Sequence, residues 1–132
     1  MAGNPRRANG TRRNAVLARL RQLDDPCWIC GLPIPGGMPR GHPEAMEADE
    51  IVPVSKGGSP YDMRNLARAH RCCNNWRRNR SAPAVGAVRS AVEREFGCWS
   101  DPQDFVAKAK SVERSRKAGC AAYEPARHTT DW

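Results

Sequence analysis

The chain has 132 residues, 39% of them hydrophobic and only 6% aromatic, and its 22 Lys and Arg against 14 Asp and Glu give a net charge of +8. That length allows one domain with tails, and so small an apolar fraction usually needs a disulfide or metal staple. The charge favours a polyanionic partner, because each basic contact to a phosphate releases condensed counterions, and no stretch nears the ~20 apolar residues of a membrane span.

Residues 1–22 carry Arg6, Arg7, Arg12, Arg13, Arg19 and Arg21 and no acid. Positions 1–10 read as a mobile basic arm. A helix is expected from Thr11 to Leu23, with Val16, Leu17, Leu20 and Leu23 on one face. Cys27-Trp28-Ile29-Cys30-Gly31 reads as a tight turn with inward thiols, and the Gly/Pro-rich stretch 32–43 as a loop. Residues 46–54 suit a strand whose Pro53 marks an edge or an end. A turn follows over 56–60, then a returning strand over 65–71 and a helix over 73–80. Residues 63–80 again hold six arginines and no acid. Beyond Ser81 the composition turns Ala-rich, predicting helices near 87–97 and 102–118. The second opens on Asp101 as N-cap with Pro102 at the first helical position, and Gly119 suits its end. The polar tail from Glu124 to Trp132 is expected to be loosely ordered. Three regions result: a basic arm and helix (1–24), a central core (25–80) and a helical extension (81–132).

The paired N-terminal arginines have no hydrophobic run behind them, so no secretory signal is expected and a cytoplasmic location is. In a reducing cytosol, paired cysteines serve more often as metal ligands than as disulfides. Cys27-x-x-Cys30 and His70-x-x-Cys73 form two such pairs, 39 residues apart. Four N/S ligands close a tetrahedral structural zinc site with no open position for catalysis. Cys72 competes with Cys73, but Cys73 keeps the two-residue gap to His70 and is preferred. Cys72, Cys98 and Cys120 read as small buried hydrophobes, and Trp28 and Trp76 as packing residues.

Between the two pairs lies Asp49-Glu50-Ile51-Val52-Pro53-Val54-Ser55-Lys56-Gly57-Gly58, followed by Asn65-Leu66 and Cys73-Asn74. This resembles the HNH endonuclease family, notably its small stand-alone bacteriophage forms, over roughly residues 25–80. The resemblance implies a small α+β fold with a ββα-metal core. It also implies hydrolysis of phosphodiester bonds in DNA with one divalent metal, Mg²⁺ or Mn²⁺ on ligand type. Asp49 and Asn74 match the family's metal ligands, and Asn65 the residue that ties the loop between the strands. Among the basic residues around Asn74, Arg71, Arg77, Arg78 and Arg80 are candidate phosphate contacts, Arg77 and Arg80 at one-turn spacing as planar forks. Where the family normally has the histidine general base, this chain has Glu50. Two roles are open to it: general base, which is favoured, or second carboxylate ligand of the metal. His42 is the substitute base, and His128 is read as solvated. Phage members of the family often neighbour a packaging terminase, which the resemblance names as a partner besides DNA. The alternative is a catalytically inactive zinc-stapled DNA-binding module.

Overall fold

The computed structural model describes residues 10–126, with side chains as far as residue 117. The expected N-terminal arm over 1–9, the Cys120 side chain, and the tail beyond 126 with His128 lie outside the described residues.

Helix α1 (Gly10–Gln22) half-buries Val16 and Leu17 and buries Leu20 while its arginines remain outward or half-buried. It packs on the two strands, and the Arg68 guanidinium donates to Leu20 O at 3.3 Å, capping its last turn. Leu23, expected on the apolar face, lies past the helix end and is exposed. The knuckle 27–31 closes through Gly31 N–H to Cys27 O (2.8 Å) and Cys27 N–H to Leu32 O (3.0 Å). Gly31 has φ +79°, a backbone conformation that favours glycine; a Cβ there would also meet the Arg89 guanidinium at 2.5 Å, the movable end of a flexible side chain.

Strands β1 (Met46–Glu50) and β2 (Leu66–His70) pair antiparallel, from Met46 opposite His70 to Glu50 opposite Leu66. β1 stops four residues short of the expected 54 because Asn65 captures the chain. The Val52 N–H donates to Asn65 Oδ1 at 2.8 Å, while Asn65 Nδ2 donates to Val52 O at 3.0 Å and Ser59 O at 2.9 Å. Pro53 then leads into a 3₁₀ turn over Val54–Lys56. The connection is so tight that a Cβ on Gly58 would lie 1.7 Å from Val52 O.

Helix α2 (Arg71–Arg77) follows β2 directly and ends three residues before the expected 80, where Arg78 turns to φ +46°. Helix α3 (Ala82–Phe96) starts five residues before the expected 87. Ser81 caps it by accepting from Ala84 N–H at 3.2 Å, with a proline in the first turn, a start signal that outweighs the loop-like Ala-Pro-Ala-Val-Gly composition. Helix α4 (Pro102–Ala126) begins as expected, with Asp101 Oδ1 accepting from Asp104 N–H at 2.8 Å. It does not end at Gly119. One interior glycine costs a helix only about 1 kcal/mol, too little to stop it alone.

The result is a small α+β structure with four α-helices among the described residues and a two-stranded antiparallel sheet. One core cluster gathers Cys27, Ile29, Ala69, Trp76, Val85, Val92, Phe105 and Val112, so α3 and α4 close over the knuckle and α2. Phe105 stands edge-on between Trp76 and Trp99, with centroid distances of 5.9 and 5.0 Å. No helix among the described residues is long and apolar enough to cross a membrane.

The loop clamp yields the first prediction. Gly58→Ala is expected to cost about 2 kcal/mol or more, because the obstacle is backbone. Gly36→Ala, with nothing within 4 Å of its Cβ, is expected to stay within about 0.5 kcal/mol. Urea unfolding midpoints of the two variants would check this.

Candidate metal centre and acidic cleft

The junction between β2 and α2 places His70 as the last strand residue and Cys73 in the first helical turn, against the knuckle that supplies Cys27 and Cys30. The Trp28 N–H donates to Arg68 O at 3.1 Å and holds the knuckle to β2. All four residues are buried, and their ligand atoms lie within 4.8 Å of one another. His70 Nδ1 is 3.4 Å from Cys30 Sγ and 4.0 Å from Cys73 Sγ. Ligands about 2.0–2.3 Å from a tetrahedral zinc stand roughly 3.5–3.8 Å apart, so the cluster can hold a metal ion such as zinc. Its second ring nitrogen, His70 Nε2, faces Pro33 O at 3.0 Å. A proton held there leaves Nδ1 as the ligand atom. Cys73 belongs to the cluster. Cys72 instead lines a groove between α2 and α4.

These groups share protons that a cation would displace. Hydrogen bonds with Cys30 and Cys73 hold the Cys27 thiol far below the usual thiol range. Contacts with Cys27 and Cys30 push Cys73 far above it. Burial lowers the His70 imidazole, but hydrogen bonds and charge from Cys27 and Cys30 outweigh it and raise the group from 6.5 to about 10.

At the other end of β1, a cleft of about 320 Å³ collects Arg13 from α1, Asp49 and Glu50 from β1, Asn74 and Arg77 from α2, and Arg78 and Asn79 just beyond. Of the sequence candidates, Asp49, Glu50, Asn74, Arg77 and Arg78 meet here. Asn65 does not; its side chain is spent on the loop between the strands. His42 does not line the cleft either, and its Nδ1 accepts from Glu44 N–H at 3.0 Å within its own turn.

Asp49 is held from both sides. Its Oδ1 accepts from Arg77 Nη1 at 2.9 Å and its Oδ2 from the Trp28 indole at 2.8 Å. Glu50 is buried with Arg13 Nη1 at 3.4 Å from its Oε2. Asn74 donates to Glu47 Oε1 at 3.0 Å, and Arg71 pairs with Glu47 Oε2 at 2.9 Å.

Two of the arginines expected to face a phosphate are turned inward. Arg77, only 2% exposed, also donates to Glu50 O (2.7 Å), Ile51 O (2.6 Å) and Arg80 O (2.9 Å), and it stacks on Trp28. Arg80 lies over Trp76 and pairs with Glu113 at 2.9 Å. The reason is the early end of α2. Beyond Arg77 the chain leaves the helix, so Arg80 no longer shares a helical face with Arg77, and the outward cation at the cleft is Arg78. The sequence reading did not single out Arg13 or Glu47 as site residues. Arg13 reaches Glu50 from 37 positions away, and no local signal marks such a pair.

Burial raises Asp49 above its ordinary value of 3.8, with the Glu50 charge adding to the rise, against the pull of Arg77 and Trp28. A group raised on folding contributes stability that is full below its unfolded value and lost as pH rises through its folded value. Ionised Asp49 therefore works against the fold at neutral pH, as is common for a functional carboxylate. Neither a family model nor a curated protein nor a solved structure matches the chain.

The cluster yields the second prediction. Zinc loading is expected to raise the unfolding midpoint, and a chelator to reverse the gain. Cys73→Ser is expected to lose the metal while Cys72→Ser keeps it, with metal content read by elemental analysis. Since the ligands bind metal only when deprotonated, retention should fall as pH is lowered.

Proposed function

We propose that the protein is a divalent-metal-dependent endonuclease of the HNH type that hydrolyses phosphodiester bonds in DNA. In this reading β1, β2 and α2 form a ββα-metal core, and Cys27, Cys30, His70 and Cys73 staple it with a structural zinc. The observation that carries the proposal is the convergence of Asp49, Glu50 and Asn74 in one cleft with Arg13 and Arg78 at its wall.

Asp49 and Asn74 would hold the Mg²⁺ or Mn²⁺. A carboxylate oxygen offers two acceptor sites, so the bonds from Arg77 and Trp28 leave one on each oxygen of Asp49, and they orient the group as hydrogen-bonded metal ligands usually are. A hard cation bound there neutralises phosphate charge and supplies Lewis acidity at the scissile group. Glu50, beside Asp49, accepts the proton of the attacking water, and Arg13 holds that carboxylate in place. Arg78, exposed at the rim, contacts phosphate. A surface whose open cations meet phosphates rather than base edges supports cutting with little sequence preference.

A second reading, a non-catalytic zinc-stapled DNA-binding module, is favoured by one observation: both Asp49 oxygens are already engaged by protein donors. Plasmid cleavage separates the two. The native protein is expected to nick or linearise DNA only with Mg²⁺ or Mn²⁺. Asp49→Asn and Glu50→Gln are each expected to lower the rate at least about 100-fold, the scale of a general base. DNA binding without cleavage in any divalent metal would select the binding module. A Glu50→Gln rate near the native one would remove Glu50 from the chemistry.

A further inference from the structure

A second concavity of about 780 Å³ lies between α2 and α4. Arg78 lines both it and the acidic cleft. On the α4 side, Lys110 and Arg114 stand one helical turn apart, both exposed. Glu113 contributes little opposing field, because Arg80 and the Trp76 indole occupy its two oxygens at 2.9–3.1 Å. Arg78, Lys110 and Arg114 have no acidic partner among the described residues. Asn75 and Gln103 add neutral donors along the same wall.

Arg78 supplies an independent observation. It is the one non-glycine residue at positive φ (+46°) among the described residues. Glycine is relaxed in that region and an L side chain is strained. An arginine at a strained turn, with its side chain exposed and lining both clefts, points to a use for the guanidinium outside the fold.

We propose that the groove between α2 and α4 carries the sugar–phosphate backbone of bound DNA away from the acidic cleft, with Arg78 shared by the two and Lys110 and Arg114 as outer phosphate contacts. The inference rests on the nuclease reading for its substrate class, and it assigns the α4 extension to DNA binding. The groove floor includes apolar Trp76, Val106 and Ala107, but the exposed cations Arg78, Lys110 and Arg114 along its walls suit the phosphates of a strand backbone.

Cys72, half-buried in the groove wall, reports on occupancy, and Cys98, exposed and outside the groove, is its internal control. In zinc-loaded Cys120→Ser protein, duplex DNA is expected to slow iodoacetamide alkylation of Cys72 and not of Cys98. Lys110→Glu with Arg114→Glu is expected to weaken duplex binding about tenfold or more at 0.1 M salt. It should also flatten the dependence of log K on log salt by about two, at roughly 0.9 per lost phosphate contact. Arg78→Gly is expected to weaken binding while its unfolding midpoint holds or rises, since the strain is relieved. A lower midpoint would make Arg78 a structural residue and overturn its place in the proposal. Metal-dependent cleavage by the native protein, with Cys72 unprotected and the charge-reversed variant binding normally, would overturn the groove and leave the nuclease standing. Cys72 protection without cleavage in any metal would support the groove and reject the nuclease.

Discussion

Four ligand groups held within 4.8 Å of one another set the terms for everything around them. They tie the knuckle, the end of β2 and the start of α2 to one point, and nothing else in the sheet is long enough to do so, since each strand has five residues. A two-stranded hairpin is marginal alone in water. Here it gains α1 on one side and, through the cluster, the whole α2–α4 layer on the other. Buried thiols and an imidazole at this spacing are costly without a shared cation, because each must find a proton or a charge partner in a low-dielectric interior. The core that closes over them is built mainly from Val, Ala and Cys with a single Phe and Trp fully engaged. So modest an apolar reserve makes this junction, which can hold a metal ion, the main organising constraint.

A second brace works at the far end of the strands. Arg77 spends its guanidinium on Asp49, on the carbonyls of Glu50 and Ile51 at the end of β1 and on the carbonyl of Arg80, while its face rests on Trp28. The two braces are linked, because Trp28 sits between the two knuckle cysteines and donates to Asp49. The residue that fills the gap in Cys-x-x-Cys thus positions a carboxylate of the acidic cleft. Breaking one partner of a buried ion pair leaves an uncompensated charge, so this brace is sensitive to single substitutions even though its net contribution to stability is small.

Two further cations line the acidic cleft, Arg13 mostly covered and Arg78 exposed. Arg13 pairs with Glu50 from α1, and Arg78 stands just past the end of α2. The basic composition is thus divided by burial into two populations. Arg68, Arg77 and Arg80 bond to carbonyls or carboxylates of the protein, whereas Arg78, Lys110 and Arg114 are exposed and have no acidic partner among the described residues. A net charge alone does not distinguish them, since both populations count equally in it.

Local chemistry in the sequence determined a good part of this protein. The ligand pairs, the choice of Cys73 over Cys72, the strand–loop–strand–helix order, the Asp101-Pro102 start of α4 and the small α+β class are set by spacing and caps within a few residues. Asn65 also stands where the loop chemistry needs it, since its partners Val52 and Ser59 lie within the same hairpin. Tertiary structure decided the rest. Where β1 and α2 end depends on Asn65 and on the turn at Arg78. Which arginines face outward depends on where α2 stops, and the Arg13–Glu50 pair on helix α1 docking across 37 positions of sequence. The helical extension covers the Cys/His junction because Val85, Val92, Phe105 and Val112 share its core. Ligand spacing and capping are short-range and leave a mark in the sequence; the orientation of a long, flexible, charged side chain is chosen only when distant elements pack around it.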